Sequence, residues 1–138
     1  MKIWLLTVGE PLPIDQSRLH RSGILSEYLQ LYGHEVFWFS STFDHFKKEN
    51  RFEEDKEMQI TDKLNLYLFN GGGYKRNISI DRLKDHSLIA KKFKNLAPNM
   101  PRPDLIISSY PTIELCREAV RYGIENDIPV VIDIRDLW

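Results

Sequence analysis

The stretch Ile3-Trp4-Leu5-Leu6-Thr7-Val8 (IWLLTV) decides the fold that this sequence predicts. It is a near-continuous apolar run, without the alternation of apolar and polar residues that marks a strand with one solvated face. Such runs are typical of strands buried on both faces, as in parallel sheets. Gly9-Glu10-Pro11-Leu12-Pro13 follows, and two prolines so close together cannot continue a central strand. The chain therefore begins with a predicted central parallel strand.

Helical and strand patterns alternate along the sequence after this first strand. Apolar residues recur at three-to-four-residue spacing over residues 17–32, 79–96 and from Thr112 to Ile124, which predicts three helices. We expect further strands at residues 36–40, 64–69, 105–110 and 130–134, and an irregular excursion over residues 42–63. Gly33 is expected to take the left-handed conformation after the first helix. The predicted buried stripes are Ile80, Leu83, Ala90, Phe93 and Ala97 in the second helix, and Ile113, Cys116, Ala119, Val120, Gly123 and Ile124 in the third.

Strands that alternate with amphipathic helices are typical of a parallel sheet covered by helices on both faces. The predicted fold class is thus α/β, with one Rossmann-like domain over residues 1–138. No internal repeat or low-complexity linker divides the chain.

Composition excludes several classes of protein. The 138 residues carry 19 basic and 20 acidic side chains, a net charge of -1, which argues against a general nucleic-acid binder. The single cysteine excludes a disulfide framework and favours a cytoplasmic location. No stretch approaches the roughly 20 apolar residues that span a bilayer. The first apolar run is also too short for a signal peptide.

Ligands of open parallel sheets bind beyond the carboxyl ends of the strands. The loops that start at Gly9, Ser40, Gly71, Ser108 and Asp133 are therefore the candidate sites. Neither a G-x-G-x-x-G fingerprint, a P-loop nor zinc-ligand spacing is present. The pair Ser22-Gly23 could expose backbone N–H groups to an anion, or the glycine could simply allow close helix packing. Residues 71–73 (GGG) could likewise be a flexible loop or a phosphate cradle.

Three segments in order carry a family resemblance. The first is a K-I-x-x-L strand at Lys2, followed by a Gly turn and a helix ending in GHEV at residues 33–36. The second is FWFSSTFDHFKKENR (residues 37–51), which contains S-x-F-x-H-x-x-K. The third is the ending DIRDLW (residues 133–138), which matches D-x-R-D-x-W. Together they resemble the amino-terminal half of a family 4, GT-B-fold bacterial glycosyltransferase.

The resemblance implies a function for a longer chain. Such enzymes are hexosyl-type transferases that move a sugar from a nucleotide-sugar to a glycan or lipid-linked acceptor, with retention, in O-antigen or capsule synthesis. It implies no cofactor and no metal. Residues 1–138 would be the acceptor-side half, without the C-terminal donor-binding domain, and inactive alone.

The resemblance also implies roles for individual residues. It points to His45 and Asp136 as catalytic groups, although relatives have a His near the place of Asp136. The residues expected near the donor phosphates are Gly9, Glu10, Arg21, Ser22 and Gly23. Those expected on the acceptor side are Tyr110, Asp133, Arg135 and Trp138.

Membrane contact and other functions remain alternatives at this point. The aromatic and basic residues of 43–52, if helical, could rest on the inner face of the plasma membrane, as could the basic helix over residues 84–94. An ordinary solvated excursion is the plainer interpretation. The chain could also be a standalone Rossmann- or flavodoxin-like binding module for a small anionic ligand, or a subunit that completes a transferase in trans.

Overall fold

The computed structural model describes residues 1–135 of the chain. The predictions for Asp136 and Trp138 lie outside the described residues. No helix within the described part is long and apolar enough to cross a membrane.

Three helices and eight strands make up the described residues. The helices are α1 (Arg21–Leu31), α2 (Ile80–Leu96) and α3 (Ile113–Asn126), with short 3₁₀ turns at Pro13–Asp15 and Ala97–Asn99. The strands are β1 (Lys2–Leu6), β2 (Glu35–Ser41), β3 (Phe43–Asp44), β4 (Glu49–Asn50), β5 (Lys56–Thr61), β6 (Leu64–Phe69), β7 (Leu105–Tyr110) and β8 (Val130–Ile134).

Six strands form one sheet in the order β5-β6-β2-β1-β7-β8, and β3 pairs with β4 in a small separate hairpin. All neighbours in the large sheet are parallel except β5 and β6, which pair antiparallel. The predicted α/β fold with a Rossmann-like sheet is confirmed, and β1 lies near its centre as its apolar run indicates.

The expectation of an irregular excursion over residues 42–63 is wrong. This segment contains the β3–β4 hairpin and the edge strand β5. In β5, Met58 and Ile60 pack against the core while Glu57, Gln59 and Thr61 between and after them are exposed. Such alternation is typical of a half-solvated antiparallel strand, and a search for continuous apolar runs overlooks it.

Successive residues of β1 point to opposite faces of the sheet and build two cores. Trp4 packs on α2 and α3, with its ring 5.9 Å from that of Phe93 and 5.1 Å from that of Tyr122. Leu5 belongs to the other core, which includes Leu25 of α1. The expected helices on both faces are therefore present.

Helix α1 begins four residues later than predicted. His20 is its N-cap, with an extended backbone, so residues 17–20 are not helical. Leu19 folds back over the helix instead, and a Cβ atom on Gly23 would lie 2.8 Å from Leu19 Cβ. Close packing is thus the role that the structure gives Gly23, against Leu19 rather than the sheet.

The predicted buried stripes of α2 and α3 are wrong at several positions. Ile80 and Leu83 of α2 are 70% and 58% exposed, and Ile113, Val120 and Ile124 of α3 are 58%, 37% and 78% exposed. The first turns of α2 and α3 adjoin the loops beyond the strands, where no sheet covers them. The buried residues of α2 are Asp85, His86, Ile89, Ala90 and Phe93, and those of α3 are Leu115, Cys116, Glu118, Ala119, Tyr122 and Gly123.

Gly33 has the predicted left-handed backbone, with φ of +86°, and open space around its α-carbon. We therefore expect Gly33→Ala to lower the free energy of unfolding by about 1–2 kcal/mol through backbone strain alone. Gly33→Asn should lose less, because Asn tolerates this conformation. Urea denaturation of the three proteins measures both effects. Equal losses in the two variants would contradict the backbone explanation.

Candidate functional site

Polar side chains gather at the carboxyl edge of the large sheet. Since β1 lies between β2 and β7, the loops after these strands meet above the middle of the sheet. Two groups of contacts form there. We call them the Arg135 network, on the β7–β8 side, and the His45 cluster, on the β2–β6 side.

The Arg135 network joins the end of β8 to the start of α1. Arg135 Nη2 donates hydrogen bonds to Ser22 Oγ at 2.6 Å and to Ser109 Oγ at 2.9 Å. Its guanidinium also pairs with Glu10. Thr7 Oγ1 lies 3.0 Å from Ser22 Oγ and 3.2 Å from Ser109 Oγ. Residues from four separate segments of the chain are therefore tied together.

Asp133 extends this network toward solvent. Its carboxylate accepts from Arg135 Nε at 3.1 Å and from Arg21 Nη1 at 2.7 Å. The Arg21 side chain is 60% exposed, so its pairing is weaker than that of the buried members. The structure thus brings together residues predicted separately for donor-phosphate and acceptor contacts.

The start of α1 already holds an anion. The Ser22 N–H donates to Glu10 Oε2 at 2.9 Å, and Glu10 is 8% exposed. A carboxylate is stabilised there by the positive end of the helix dipole. The Ser22 N–H that the sequence offered to an external anion is therefore occupied by an internal one.

The His45 cluster lies between the β3–β4 hairpin and the loop after β6. His45 Nδ1 is 2.7 Å from the Tyr74 hydroxyl and 3.3 Å from Lys48 Nζ. Lys48 Nζ lies 4.8 Å from the centre of the Tyr74 ring and donates to Asn77 Oδ1. A Cβ atom on Gly9 would be 4.0 Å from His45, so the imidazole lies beside the end of β1.

The electrostatics of the cluster favour a neutral imidazole. Burial lowers the pKa of His45, and the charges of Lys48 and Arg82 lower it further against a smaller opposite effect of Asp44. Burial raises the pKa of Tyr74, so its phenol keeps its proton. Because the Lys48 ammonium can only donate, Nδ1 of His45 is the acceptor and the ring proton resides on Nε2. The cluster therefore carries a ring N–H that can donate to a ligand oxygen.

The glycine loop next to the cluster, residues 71–73, packs closely against Asp85. A Cβ on Gly71 would overlap Asp85 Oδ1 and lie 2.7 Å from the Asp85 carbonyl oxygen. The Gly73 N–H donates to Asp85 Oδ1 at 2.9 Å, and the Gly72 N–H donates to Asn70 Oδ1 at 3.0 Å. Two N–H groups of the possible phosphate cradle thus have internal partners, which favours the packing role.

Asp85 is fully buried, and within residues 1–135 its Oδ2 atom has no hydrogen-bond partner. Burial raises the pKa of Asp85, while the hydrogen bond from Gly73 partly offsets this. A raised pKa in the folded state means that Asp85 favours folding at low pH, and that this contribution is lost as the pH rises through the folded pKa.

We therefore expect wild-type protein to lose stability relative to Asp85→Asn as the pH rises from about 4, the unfolded Asp pKa, toward 7. The amide keeps an oxygen for the Gly73 N–H and never ionises. Urea midpoints of both proteins across this range measure the difference. Parallel stability curves would contradict a raised Asp85 pKa.

A cavity of about 610 Å³ opens beside the His45 cluster. Its lining combines an aromatic ring with amide, carboxylate and ammonium groups, the mixture that orients a polar organic ligand. The lining residues include Phe43, Lys48, Glu49, Asn50, Tyr74 and Lys84.

The remaining predicted residues lie apart or outside the described chain. Tyr110 lines a separate groove between the first turns of α2 and α3, not the Arg135 network. Sequence reasoning missed Tyr74, Lys48 and Asp85, although Tyr74 directly follows the glycine loop at a predicted strand end. Within residues 1–135, no cluster of three or more His, Cys, Asp or Glu could hold a metal ion.

Comparison with known proteins supports the fold. No protein-family model matches the sequence, and no curated protein matches it. Among solved structures, trehalose-6-phosphate synthase (OtsA), a GT-B glycosyltransferase, is similar with a TM-score of 0.55 and 14% sequence identity. The match covers 94% of this chain and 33% of that chain, so this chain spans about a third of that protein's length. At this identity the likeness shows the fold alone: an α/β domain of the kind found in a GT-B glycosyltransferase.

Proposed function

We propose that the chain is the N-terminal, acceptor-side domain of a retaining family 4 glycosyltransferase. The reaction would move a hexosyl-type sugar from a nucleotide-sugar to a lipid-linked glycan acceptor in cell-surface polysaccharide synthesis, such as that of O-antigen, on the cytoplasmic side of the membrane. The observation that carries the proposal is the fold shared with a GT-B glycosyltransferase over 94% of the chain.

The two groups of contacts at the sheet edge suit different parts of this reaction. A leaving diphosphate needs positive charge and N–H donors in the absence of a metal. Arg21, whose side chain is 60% exposed at the start of α1, would face it once a C-terminal donor-binding domain closes over this edge. Arg135 and the Ser22 N–H would stay paired with Glu10 and keep this edge in place. The His45 cluster and its cavity would hold the acceptor. Asp136 remains a proposed catalytic group, and Trp138 a proposed acceptor contact.

The test compares this chain with a longer gene product that carries a second domain after it. Both are incubated with a panel of nucleotide-sugars, bacterial lipid extract and EDTA, and nucleoside diphosphate release is measured. We expect turnover by the longer protein and none by residues 1–138 alone. Failure of the longer protein with every donor, together with tight binding of a small anion by the chain alone, would favour the standalone binding module instead.

A further inference from the structure

Four large apolar side chains stand exposed together at the carboxyl edge of the sheet. We call them the Ile78 surface: Ile78 is 95% exposed, Ile80 70%, and Leu83 and Ile113 each 58%. They come from the loop before α2 and from the first turns of α2 and α3. Isolated exposed apolar residues need no explanation, but a contiguous group of this kind marks an interaction site.

The Ile78 surface surrounds a groove of about 500 Å³. Tyr110, the last residue of β7, and Pro111 also line this groove. The four apolar side chains are more than half exposed around this groove, so they can contact an apolar phase without any change in the fold.

Cationic side chains flank the same surface. Lys75, Arg76 and Lys84 are close to Ile78 or Ile80 in sequence and are exposed, and Arg82 lines the groove itself. Arg117, one turn after Ile113, pairs with Glu118 at 3.8 Å and therefore adds little net charge. The acidic residues in the same region are Asp81 and Glu114. Four cations against two carboxylates leave the surroundings of the Ile78 surface positively charged.

We propose that the Ile78 surface docks on an anionic lipid bilayer. The apolar side chains would enter the boundary between headgroups and acyl chains, while the cations meet lipid phosphates and carboxylates. A second copy of the chain is a poorer occupant, because a two-fold contact sets each surface against itself and brings the two cationic rims together.

The other two surfaces considered for membrane contact fit less well. Residues 43–52 form the β3–β4 hairpin rather than an amphipathic helix, and Phe43 is 6% exposed with its ring 4.7 Å from that of Tyr74. On α2, Lys92 pairs with Asp55 at 2.7 Å and so is partly neutralised.

Docking at the Ile78 surface places the His45 cluster near the membrane. Arg82 lines the groove, and its guanidinium carbon also lies 5.8 Å from the centre of the Tyr74 ring. One side chain thus borders both the docking surface and the proposed acceptor site. That this arrangement would suit a lipid-linked acceptor rests on the proposed function, whereas the docking of the Ile78 surface on a bilayer does not.

The test is co-sedimentation of residues 1–138 with vesicles of phosphatidylcholine alone or with 30% phosphatidylglycerol, at about 0.1 M salt. Wild-type protein should bind the anionic vesicles and lose affinity as salt is added. The Ile78→Glu/Ile80→Glu double variant should bind at least about tenfold more weakly, because two inserted side chains are replaced by anions. Both positions are exposed, and circular dichroism checks that the fold is kept.

Ile124→Glu is the matched control. Ile124 is 78% exposed on α3 but lies eleven residues after Ile113, about 16 Å away along the helix. The Ile124→Glu variant should bind the anionic vesicles as strongly as wild-type protein does. Absence of vesicle binding by wild type, equal binding to neutral vesicles, or equal loss in both variants would overturn the proposal. The proposal would also be overturned if wild-type protein formed a dimer that the double variant does not form and bound no vesicles. No nucleotide-sugar is present, so failure here leaves the transferase proposal standing.

Discussion

In the proposed transferase, His45→Ala is expected to lower kcat/KM about 10²-fold, the usual effect of misplacing a reacting group in the active site. The neutral ring carries its proton on Nε2 because Nδ1 faces the Tyr74 hydroxyl and the Lys48 ammonium. That N–H would donate to an oxygen of the bound acceptor and hold its attacking hydroxyl in place. Steady-state kinetics of the longer gene product, with the natural acceptor, measure the loss.

His34→Ala is the control for this prediction. His34 is partly exposed just before β2, at the opposite edge of the sheet, where Nδ1 lies 3.2 Å from the N-terminal amine. Its loss should leave kcat/KM unchanged. Because burial and the neighbouring cations lower the pKa of His45, wild-type activity should also hold to a pH below 6.5, the ordinary His pKa. A His45→Ala enzyme with full activity would remove His45 from the mechanism.

Arg51→Met is expected to lower the free energy of unfolding by about 3–5 kcal/mol, because it leaves a buried carboxylate unpaired. Arg51 Nε and Nη2 each donate to Asp15 at 2.6 Å, and Nη1 donates to the Phe43 carbonyl oxygen at 2.9 Å. The Arg51 and Asp15 side chains are only 10% and 9% exposed. Urea denaturation at pH 7 measures the loss.

The pH dependence gives this second prediction an independent check. Burial alone would raise the pKa of Asp15, but hydrogen bonds from Arg51 and the Leu12 N–H, with the Arg51 charge, hold it below its usual value. The stabilisation is therefore present above the unfolded pKa of about 3.9 and is lost as the pH falls through the folded value. The difference in the free energy of unfolding between wild type and Arg51→Met should therefore become smaller as the pH falls.

Lys92→Met is the control for Arg51. Lys92 pairs with Asp55 at 2.7 Å, but the two side chains are 30% and 49% exposed, so neither charge is left buried when the partner is removed. Its loss should cost no more than about 1 kcal/mol. Equal deficits at the two positions would show that burial does not set the strength of the Arg51 pair.

The fold was largely predictable because its main signals are local. The apolar run of β1 and Gly33 after α1 each report their own backbone environment, and both predictions are confirmed. The edge strand β5 was missed because only one face of it is buried. The exposed turns at Ile80 and Ile113 were missed because periodicity shows that a helix has an apolar face, not whether a neighbour covers it.

The candidate site was predictable as a set of loops but not as a set of contacts. Strand order places the loops after β2 and β6 side by side, yet only three-dimensional structure pairs His45 with Tyr74, 29 positions later. The meeting of Glu10 with Arg135 across the molecule is likewise non-local. Sequence spacing carries no information about which loop residues touch, since their backbone is not periodic.

The Arg135 network has a mechanical consequence. β1 and β8 are not neighbours in the sheet, because β7 lies between them, but Arg135 links the end of β8 to Glu10 after β1 and to Ser22 in α1. Displacing the guanidinium would leave the buried Glu10 carboxylate without this counter-charge. The network thus links the ends of β1 and β8 across the intervening strand β7. Any force on the chain beyond Arg135 is transmitted directly to the first turn of α1, where the donor is proposed to bind.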